Sequence, residues 1–401
     1  MFTTYRRVLT LPGALVFSGS GLVARLPISM VSLGIVLLVS TRTGSYSLAG
    51  TVAAAYLIAN ALFAVPQARL IDRLGQSRVL PLAAAVSVTG LVAMMAAVES
   101  DSPAPWPHLS AAVAGAAMPQ IGSSVRARWS GLVTDKRDLL TAFAFESVVD
   151  EMVFMLGPVL VTVLATAVHP LAGLSSAVVA TVAGTAVLVS QKRTEPPPTG
   201  ATRRDGGAAP LPWGVLAPLV ICAFAMGGLL GGAEVATVAL SEELGAKALS
   251  GLMLAIWAVG SLLAGVVTGA VHLQASNASR FRWGMLALGS LMLPLPFVNG
   301  FATLALFLFL SGLAIAPTLI ASFAWIEEIV PPGRITEGIT LFTTGLGAGL
   351  APGAALVGLV VDTAGASSSY WVTVVAGLLG AAVAFVAARA SGRAARDAHE
   401  S

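Results

Sequence analysis

Long apolar segments alternate with short polar ones along the whole chain. About 20 apolar residues are needed to cross the hydrocarbon core of a bilayer. Windows of this kind lie near residues 12–40, 48–66, 79–98, 108–127, 139–163, 170–190, 213–239, 248–270, 283–299, 301–324, 338–361 and 368–390. The pattern predicts an all-α membrane protein with twelve transmembrane helices, in two sets of six.

The segment between the two sets, QKRTEPPPTGATRRDGGAAP, is rich in proline, glycine and charge and is typical of a flexible linker. We therefore expect an N-terminal six-helix bundle over 1–190, a cytoplasmic linker over 191–212, a C-terminal six-helix bundle over 213–390 and a cytoplasmic tail over 391–401. The segment that begins at Thr43 also aligns with the one that begins at Leu244. Repeated membrane halves are typical of secondary transporters, although a duplication without transport is the alternative.

The composition excludes a water-soluble fold. Of 401 residues, 56% are hydrophobic and 10% charged, whereas soluble domains carry about 25% charged residues. The single cysteine allows no disulfide within the chain and no thiolate metal site. There is no HExxH pair and no phosphate-binding loop with lysine, and the glycines of 345–349 lie in an apolar window, where close helix packing explains them. We expect no cofactor and no metal.

The basic residues are distributed asymmetrically. If the N-terminus is cytoplasmic and the chain crosses twelve times, all 22 lysines and arginines except Arg25, Arg42 and Lys247 fall on the cytoplasmic side. This is the positive-inside pattern. It predicts a multi-pass protein of the cell (plasma or inner) membrane with both termini cytoplasmic. The basic pI of about 9.3 then reflects topology, so the expected partner is the lipid bilayer and not nucleic acid.

The fifth apolar window, AFAFESVVDEMVFMLGPVL, carries Glu146, Asp150 and Glu151. One charged residue at the centre of a membrane helix costs roughly 2.5–3.5 kcal/mol on insertion scales. Arg25 lies at a comparable depth in the first window. Glu146 and Asp150 are four residues apart and share a helix face, whereas Glu151 is turned away by about 100°. We predict a buried group of ionisable residues that joins the first and fifth helices.

One arginine cannot neutralise three acids. At least one of these carboxyls is therefore expected to be protonated, or to take up a proton during a working cycle, because neighbouring acids in a low dielectric raise one another's pKa. This favours a proton-coupled carrier. The alternative is a static salt bridge through Arg25 that holds two helices together.

The loop after the second window, PQARLIDRLGQSRVL, forms a charged turn with Asp72, Arg73, Gly75 and Arg78. A generic basic hairpin would look similar, but the spacing resembles the cytoplasmic signature loop of the major facilitator superfamily, with Ala68 at the place of its first glycine. Together with the six-plus-six hydropathy and the central linker, the whole chain resembles a transporter of that superfamily.

The resemblance implies two six-helix bundles related by a pseudo-two-fold axis, a central cavity, and rocking between inward-facing and outward-facing states. It also implies that Asp72, Arg73 and Arg78 belong to a charge network that stabilises the outward-facing state. Gly157-Pro158 resembles the end of the antiporter motif of drug exporters in this superfamily, although the glycines around it are absent. A helix kink is the alternative.

Three further residues are candidates for a substrate cavity: Gln120, Glu234 and Trp257. Helix–helix hydrogen bonding explains Gln120 equally well, and a snorkelling surface acid explains Glu234. We expect a monomer that exports a small molecule in exchange for protons. Uptake by symport is the alternative on the same scaffold. A membrane-embedded sensor or enzyme is the alternative of another class, but no cluster of nucleophiles or metal ligands supports an enzyme.

Overall fold

The apolar segments form helices because a backbone inside a bilayer must satisfy its own hydrogen bonds. The computed structural model describes residues 2–44, 46–198, 210–246, 249–271 and 274–400. Side chains are described over 5–44, 48–198, 210–246, 249–271 and 274–387. Its α-helices are α1 (Phe2–Leu9), α2 (Ala14–Thr43), α3 (Tyr46–Leu74), α4 (Gln76–Glu99), α5 (Trp106–Ala116), α6 (Ile121–Leu132), α7 (Lys136–Ala167), α8 (Ala172–Ser190), α9 (Trp213–Glu243), α10 (Ser250–Ala270), α11 (Asn277–Leu291), α12 (Phe301–Ile329), α13 (Ile335–Ala364) and α14 (Ala366–Glu400). Residues 199–209 of the predicted linker lie outside the described residues.

Ten helices of the described part are long and apolar enough to cross a membrane. They account for ten of the twelve predicted spans. The fourth predicted span is built from α5 and α6, which are separated by the non-helical residues 117–120 around Pro119. The ninth is the 15-residue α11, which ends before Pro294 and Pro296 and is followed by a short 3-10 turn. Proline explains both interruptions because it lacks the amide hydrogen that a helix interior needs.

Helix packing repeats between the first eight and the last six helices. In the first half, α2 packs against α7 and α8, α5 packs against α3 and α4, and α4 also packs against α8. In the second half, α9 packs against α13 and α14, α12 packs against α10 and α11, and α11 also packs against α14. The five pairings correspond one to one in chain order. The weak sequence repeat therefore reflects a repeated arrangement of helices.

Glycines set the closest helix contact in the second half, between α9 and α13. A Cβ atom at Gly353 would overlap the carbonyl oxygen of Gly228, and one at Gly349 would overlap the carbonyl oxygen of Phe224. Small residues at such contacts let two membrane helices gain packing energy along their backbones. The glycine-rich run 345–349 thus packs a helix pair, as expected from the sequence.

The two halves meet at one end of the molecule, here called the linker end, where Gly75 joins α3 to α4 and residues 192–198 lie. Tyr5 donates a hydrogen bond to the carbonyl of Val266 (3.0 Å). Thr141 donates to the carbonyl of Gly269 (2.7 Å), near the start of α7 and the end of α10. Helix α13 begins at this end and packs against α3 and α6.

The first residues of the predicted linker are folded against the first half. Glu195 accepts a hydrogen bond from the amide of Ser77 (2.9 Å), in the first turn of α4. Arg128 donates to the carbonyl of Gln191 (2.9 Å) and to the hydroxyl of Thr194 (2.8 Å). A carboxylate at a helix N-terminus is favoured by the helix dipole. Residues of the predicted flexible segment between 191 and 195 thus bind the first half through these hydrogen bonds.

Candidate functional site

Arg25 joins the two acids that share a face of α7. Its Nη1 donates to Asp150 Oδ1 (2.6 Å), its Nη2 donates to Glu146, and its Nε donates to the carbonyl of Gly21 (3.0 Å). Arg25 is 4% exposed and Glu146 is fully buried. The structure thus brings Arg25, Glu146 and Asp150 together, between α2 and α7, where the sequence predicts a buried group.

Glu146 is fully engaged. Besides Arg25, its carboxylate accepts hydrogen bonds from the hydroxyl of Ser18 and from Nε1 of Trp129 (2.8 Å). The ring of Trp129 packs edge-on against Phe17, with 4.7 Å between centroids. A buried carboxylate needs such donors to offset its lost hydration. This surrounding holds Glu146 in one orientation.

A second cation, Arg126, completes the cluster. It is 2% exposed and donates from Nη2 to Asp150, on the side of the carboxylate opposite Arg25. Its Cζ lies 4.1 Å from the ring centroid of Phe323, on α12 of the other half. Its Nε is buried and has no hydrogen-bond partner among the residues that the structure describes. Stacking on an aromatic face suits such a group because the weakly hydrated guanidinium is attracted by the ring quadrupole.

Arg126 is counted from the sequence among the basic residues of the cytoplasmic side, at the end of the fourth apolar window, and the structure buries it inside the protein. The helix break at 117–120 displaces the second part of this span, so α6 runs on to Leu132 and carries Arg126 inside the protein. The signal available in the sequence is the spacing of Arg126 and Trp129, which lie three residues apart and so share a helix face. Both bind the acids of α7.

The cluster is electrically balanced. Two guanidinium groups, Arg25 and Arg126, face two carboxylates, Glu146 and Asp150. The sequence-based count of one arginine against three acids therefore omits Arg126. The third acid, Glu151, lies outside these ion pairs. Glu151 is half-buried and faces α10, not α2. The predicted rotation between Asp150 and Glu151 thus separates an ion-paired acid from one beside the other half of the molecule.

Asp72 binds the start of α13. Its Oδ2 accepts a hydrogen bond from the amide of Glu337 (2.9 Å), in the first turn of that helix. The Glu337 carboxylate is 2% exposed and pairs with Arg69 of α3 (2.6 Å) and Arg334 (2.7 Å). Asp72 therefore lies beside a charge network that joins the two halves, and the role implied for the signature loop stays a prediction.

The other members of the signature loop are not among the ion-pair partners given for Glu337 in the described part of the chain. Arg73 and Arg78 are exposed, and the cations that bind Glu337 are Arg69 and Arg334 instead. Gly75 has a φ of +94° and lies against Glu195. A residue with a side chain would be strained at this φ and would also collide with the carboxylate.

Gly157 is a close packing position between α7 and α2. A Cβ atom there would overlap the hydroxyl of Ser29, which donates to the carbonyl of Val153 (2.8 Å). Pro158 follows within the continuous helix α7. This geometry explains the Gly-Pro pair by helix packing, and its relation to an antiporter motif stays a prediction.

The three candidate cavity residues do not form one cluster. Gln120 lies at the helix break, where its amide donates to the side chain of Gln67 (2.9 Å) and its own side chain donates to the carbonyl of Met118 (3.2 Å). Glu234 is exposed on α9. Trp257 is 6% exposed on α10, and within the described part of the chain its Nε1 has no hydrogen-bond partner.

The chain matches the family profile described as the Major Facilitator Superfamily over residues 17–301 and 219–400. The protein belongs to the major facilitator superfamily. It is therefore a transporter and not an enzyme. A search of curated protein sequences finds no match.

Solved structures of superfamily transporters share its fold. A bacterial homologue of the iron transporter ferroportin, outward-facing with soaked iron, is 17% identical over 92% of this chain and 97% of its own, with a TM-score of 0.71. The human organic anion transporter MFSD10 is 16% identical over 95% and 99%, with a TM-score of 0.70. FucP in the outward conformation is 13% identical over 95% and 99%, with a TM-score of 0.71. Each likeness covers more than nine-tenths of this chain.

Proposed function

We propose that this superfamily member is a proton-coupled secondary transporter that exports a small molecule by alternating access. The observation that carries the proposal is the buried group of Arg25, Arg126, Glu146 and Asp150, which belongs to the first half yet contacts Phe323 of the second. Protonation near this group changes interactions that differ between two arrangements of the halves. Such a difference is what a coupled ligand requires.

The first test replaces Asp150, whose side chain is 31% exposed between two buried guanidinium groups. Asp150→Asn removes the negative charge that both arginines share. We expect the variant to fold and to lose transport driven by a pH gradient in proteoliposomes. The matched control is Asp101→Asn, an acid-to-amide change at an exposed residue between α4 and α5. Undiminished proton-driven flux in Asp150→Asn contradicts the proposal.

We also propose the orientation and the domain limits. The linker end faces the cytoplasm, as the basic residues indicate, and α5 with α6 and α11 with its 3-10 turn provide the fourth and ninth of twelve crossings. The bundles then span 1–190 and 213–390, and the protein works as a monomer in the cell membrane. In this orientation the network of Asp72 and Glu337 closes the cytoplasmic side and stabilises an outward-facing state.

The substrate is a small molecule whose class the fold does not select. The structural neighbours are described as an iron transporter homologue, an organic anion transporter and a fucose:proton symporter. Candidate substrates are identified by testing the susceptibility of a deletion strain across a compound panel. Ligand-induced thermal shift of the purified protein then tests each candidate for binding. Export predicts greater susceptibility in the deletion strain and substrate accumulation in inside-out vesicles.

Uptake by proton symport is the second candidate, because one of these neighbours is a fucose:proton symporter with the same fold. Gly157-Pro158, which resembles part of an exporter motif, favours export. The direction of movement in oriented vesicles separates the two. Accumulation that requires inward proton flow in right-side-out vesicles would establish symport.

A further inference from the structure

We propose that the coupled proton binds to Glu151, at a site that Glu151 of α7 and Ser261 of α10 form between the two halves. This inference rests on the proposed proton coupling and names the residue that performs it. The neighbouring acids then have different roles. Asp150 stays ionised between its arginines, and Glu151 gains and loses the proton.

The packing of α7 against α10 places the site. The helices are antiparallel, so residues that ascend along α7 meet residues that descend along α10. Thr141 donates to the carbonyl of Gly269. Val148, two turns further along α7, lies against Gly265, which is one turn before Gly269 on α10. Glu151 and Ser261 form the next pair in this series, with the hydroxyl of Ser261 facing the carboxyl group.

Ser261 is the independent sign of a binding site. It is 1% exposed, and among the described residues its Oγ has no hydrogen-bond partner apart from the Glu151 carboxyl group that it faces. A buried hydroxyl without a partner is costly. Glu151 provides the partner that this hydroxyl needs. The uncharged, protonated carboxyl is the form that stays buried there, because an ionised one has no cation at this position and favours water.

Among the described residues, the charged groups around Glu151 leave it without a counter-ion. Helices α8 and α10 carry no titratable residue. Helices α2 and α6 bring Arg25 and Arg126, both bound to Asp150. The remaining titratable groups on elements packed against α7 lie toward the helix ends, and these are Tyr5, Arg6, Arg7, Arg42, Arg128, Glu327 and Glu328.

The site lies where the contact between the halves ends. On the linker-end side of Glu151, α7 is sealed against α10 at Thr141 and Val148. One turn beyond Glu151, Met155 is 57% exposed. Rocking that opens the linker end must part α7 from α10, which would expose Glu151 to the other side. A proton bound from one side can then be released to the other.

The site predicts the direction in which pH shifts the linker end between its closed and open states. Protonated Glu151 seals the contact between α7 and α10, so low pH favours a closed linker end, and ionisation at higher pH favours an open one. Each unit by which the carboxyl pKa differs between the two states changes the ratio of closed to open populations about tenfold.

The experiment measures this ratio without a substrate. Spin labels are placed at Leu74→Cys and Gln274→Cys, which are exposed positions in the two halves near the linker end, in a Cys222→Ser background. Pulsed electron resonance distances are recorded between pH 5 and pH 9 in nanodiscs. The parent protein should shift to longer distances as the pH rises.

Variants show which residue causes the pH-dependent change in the spin-label distances. Glu151→Gln mimics the protonated carboxyl and should keep the linker end closed at every pH. Ser261→Ala should lower the closed population at low pH while keeping the pH response. Asp150→Asn should alter the distances but keep the response, as should the exposed control Asp101→Asn.

The outcomes are distinguishable. A pH response that persists in Glu151→Gln overturns this inference and leaves the proposed proton coupling in place. A parent protein without any pH response overturns the coupling and this inference with it. A response lost in Glu151→Gln and kept in Asp150→Asn supports both.

Discussion

Asp150 and Glu151 are adjacent in sequence but have different electrostatic surroundings. Asp150 accepts hydrogen bonds from Arg25 and Arg126, whereas Glu151 faces the uncharged helix α10. An ion pair compensates a buried carboxylate, and a helix rotation of about 100° is enough to remove that compensation. At the residue scale, the division between a structural and a titrating acid follows from which helix each one faces.

Breaking one side of the ion-paired group should be strongly destabilising. Arg126→Met removes one of the two cations on Asp150 and leaves excess negative charge in a buried group, which costs about 3 kcal/mol. We expect a lower thermal midpoint in detergent. Adding Asp150→Asn should recover part of the loss, because the double variant leaves Arg25 to Glu146. Equal and additive losses in a double-mutant cycle would show that the two residues are not coupled.

A further residue-scale prediction concerns the start of α7. Asp135 accepts hydrogen bonds from the amides of Arg137 (2.7 Å) and Asp138 (3.2 Å), which lowers the pKa of its carboxyl. A lowered folded-state pKa means that this stabilisation is present above the unfolded pKa, near 4, and is lost as the pH falls through the folded value.

Asp135→Ala should therefore lower the thermal midpoint at neutral pH, and the difference from the parent should shrink at acid pH. Asp135→Asn keeps a capping side chain and should behave like the parent at low pH. A difference between Asp135→Ala and the parent that does not depend on pH would contradict the assignment.

At the scale of elements, the chain combines closely packed helix pairs with a membrane span that is broken into two helices. Helices α9 and α13 meet at glycines, whereas Pro119 lies in the break that separates α5 from α6. The break extends the span and brings Arg126 and Trp129 to the acids of α7. Irregular backbone at membrane depth is tolerated where it is buried in protein, and here it delivers a charged residue to a buried site.

Two glycines of the same helix provide a matched test. Gly353 of α13 faces the backbone of Gly228, whereas nothing lies within 4 Å of a Cβ atom built at Gly358. Gly353→Ala should force α9 and α13 apart and lower the thermal midpoint. Gly358→Ala should be neutral or stabilising, since alanine is favoured over glycine in a helix by about 1 kcal/mol. A similar melting temperature for the two variants would show that this contact contributes little.

At the scale of the whole molecule, buried and exposed ion pairs hold the halves together at the linker end. These two kinds of ion pair contribute unequally to stability. Glu337 is 2% exposed and binds both Arg69 of the first half and Arg334. Glu328 and Lys136 also join the halves, but at 3.6 Å and with exposed side chains. Solvent-exposed pairs contribute about 0–1 kcal/mol, whereas removal of one partner of a buried pair is costly.

Glu337→Gln should therefore open the linker end, because Arg69 and Arg334 lose their shared carboxylate. The same spin-label pair at residues 74 and 274 should report longer distances than in the parent. Glu328→Gln is the matched control and should leave the distances nearly unchanged. An unaltered linker end in Glu337→Gln would contradict a closing role for this network.

The sequence by itself determined the membrane-spanning helices, the repeated halves, the family and the acids of α7 with Arg25 as a partner. These follow from hydropathy and from helix periodicity, which are local properties of the chain. Two windows that contain proline differ from this prediction: one forms the pair α5 and α6 and the other forms the short helix α11, where hydropathy predicts a single long helix each.

Only the tertiary structure decided which charges meet. The pairing of Arg126 with Asp150 depends on a helix break that changes the depth of every residue after it. The contact of Asp72 with Glu337, and that of Glu151 with Ser261, join segments far apart in sequence across two independently built halves. Depth and rotation of packed helices are set by their neighbours, so no local pattern along the chain contains them.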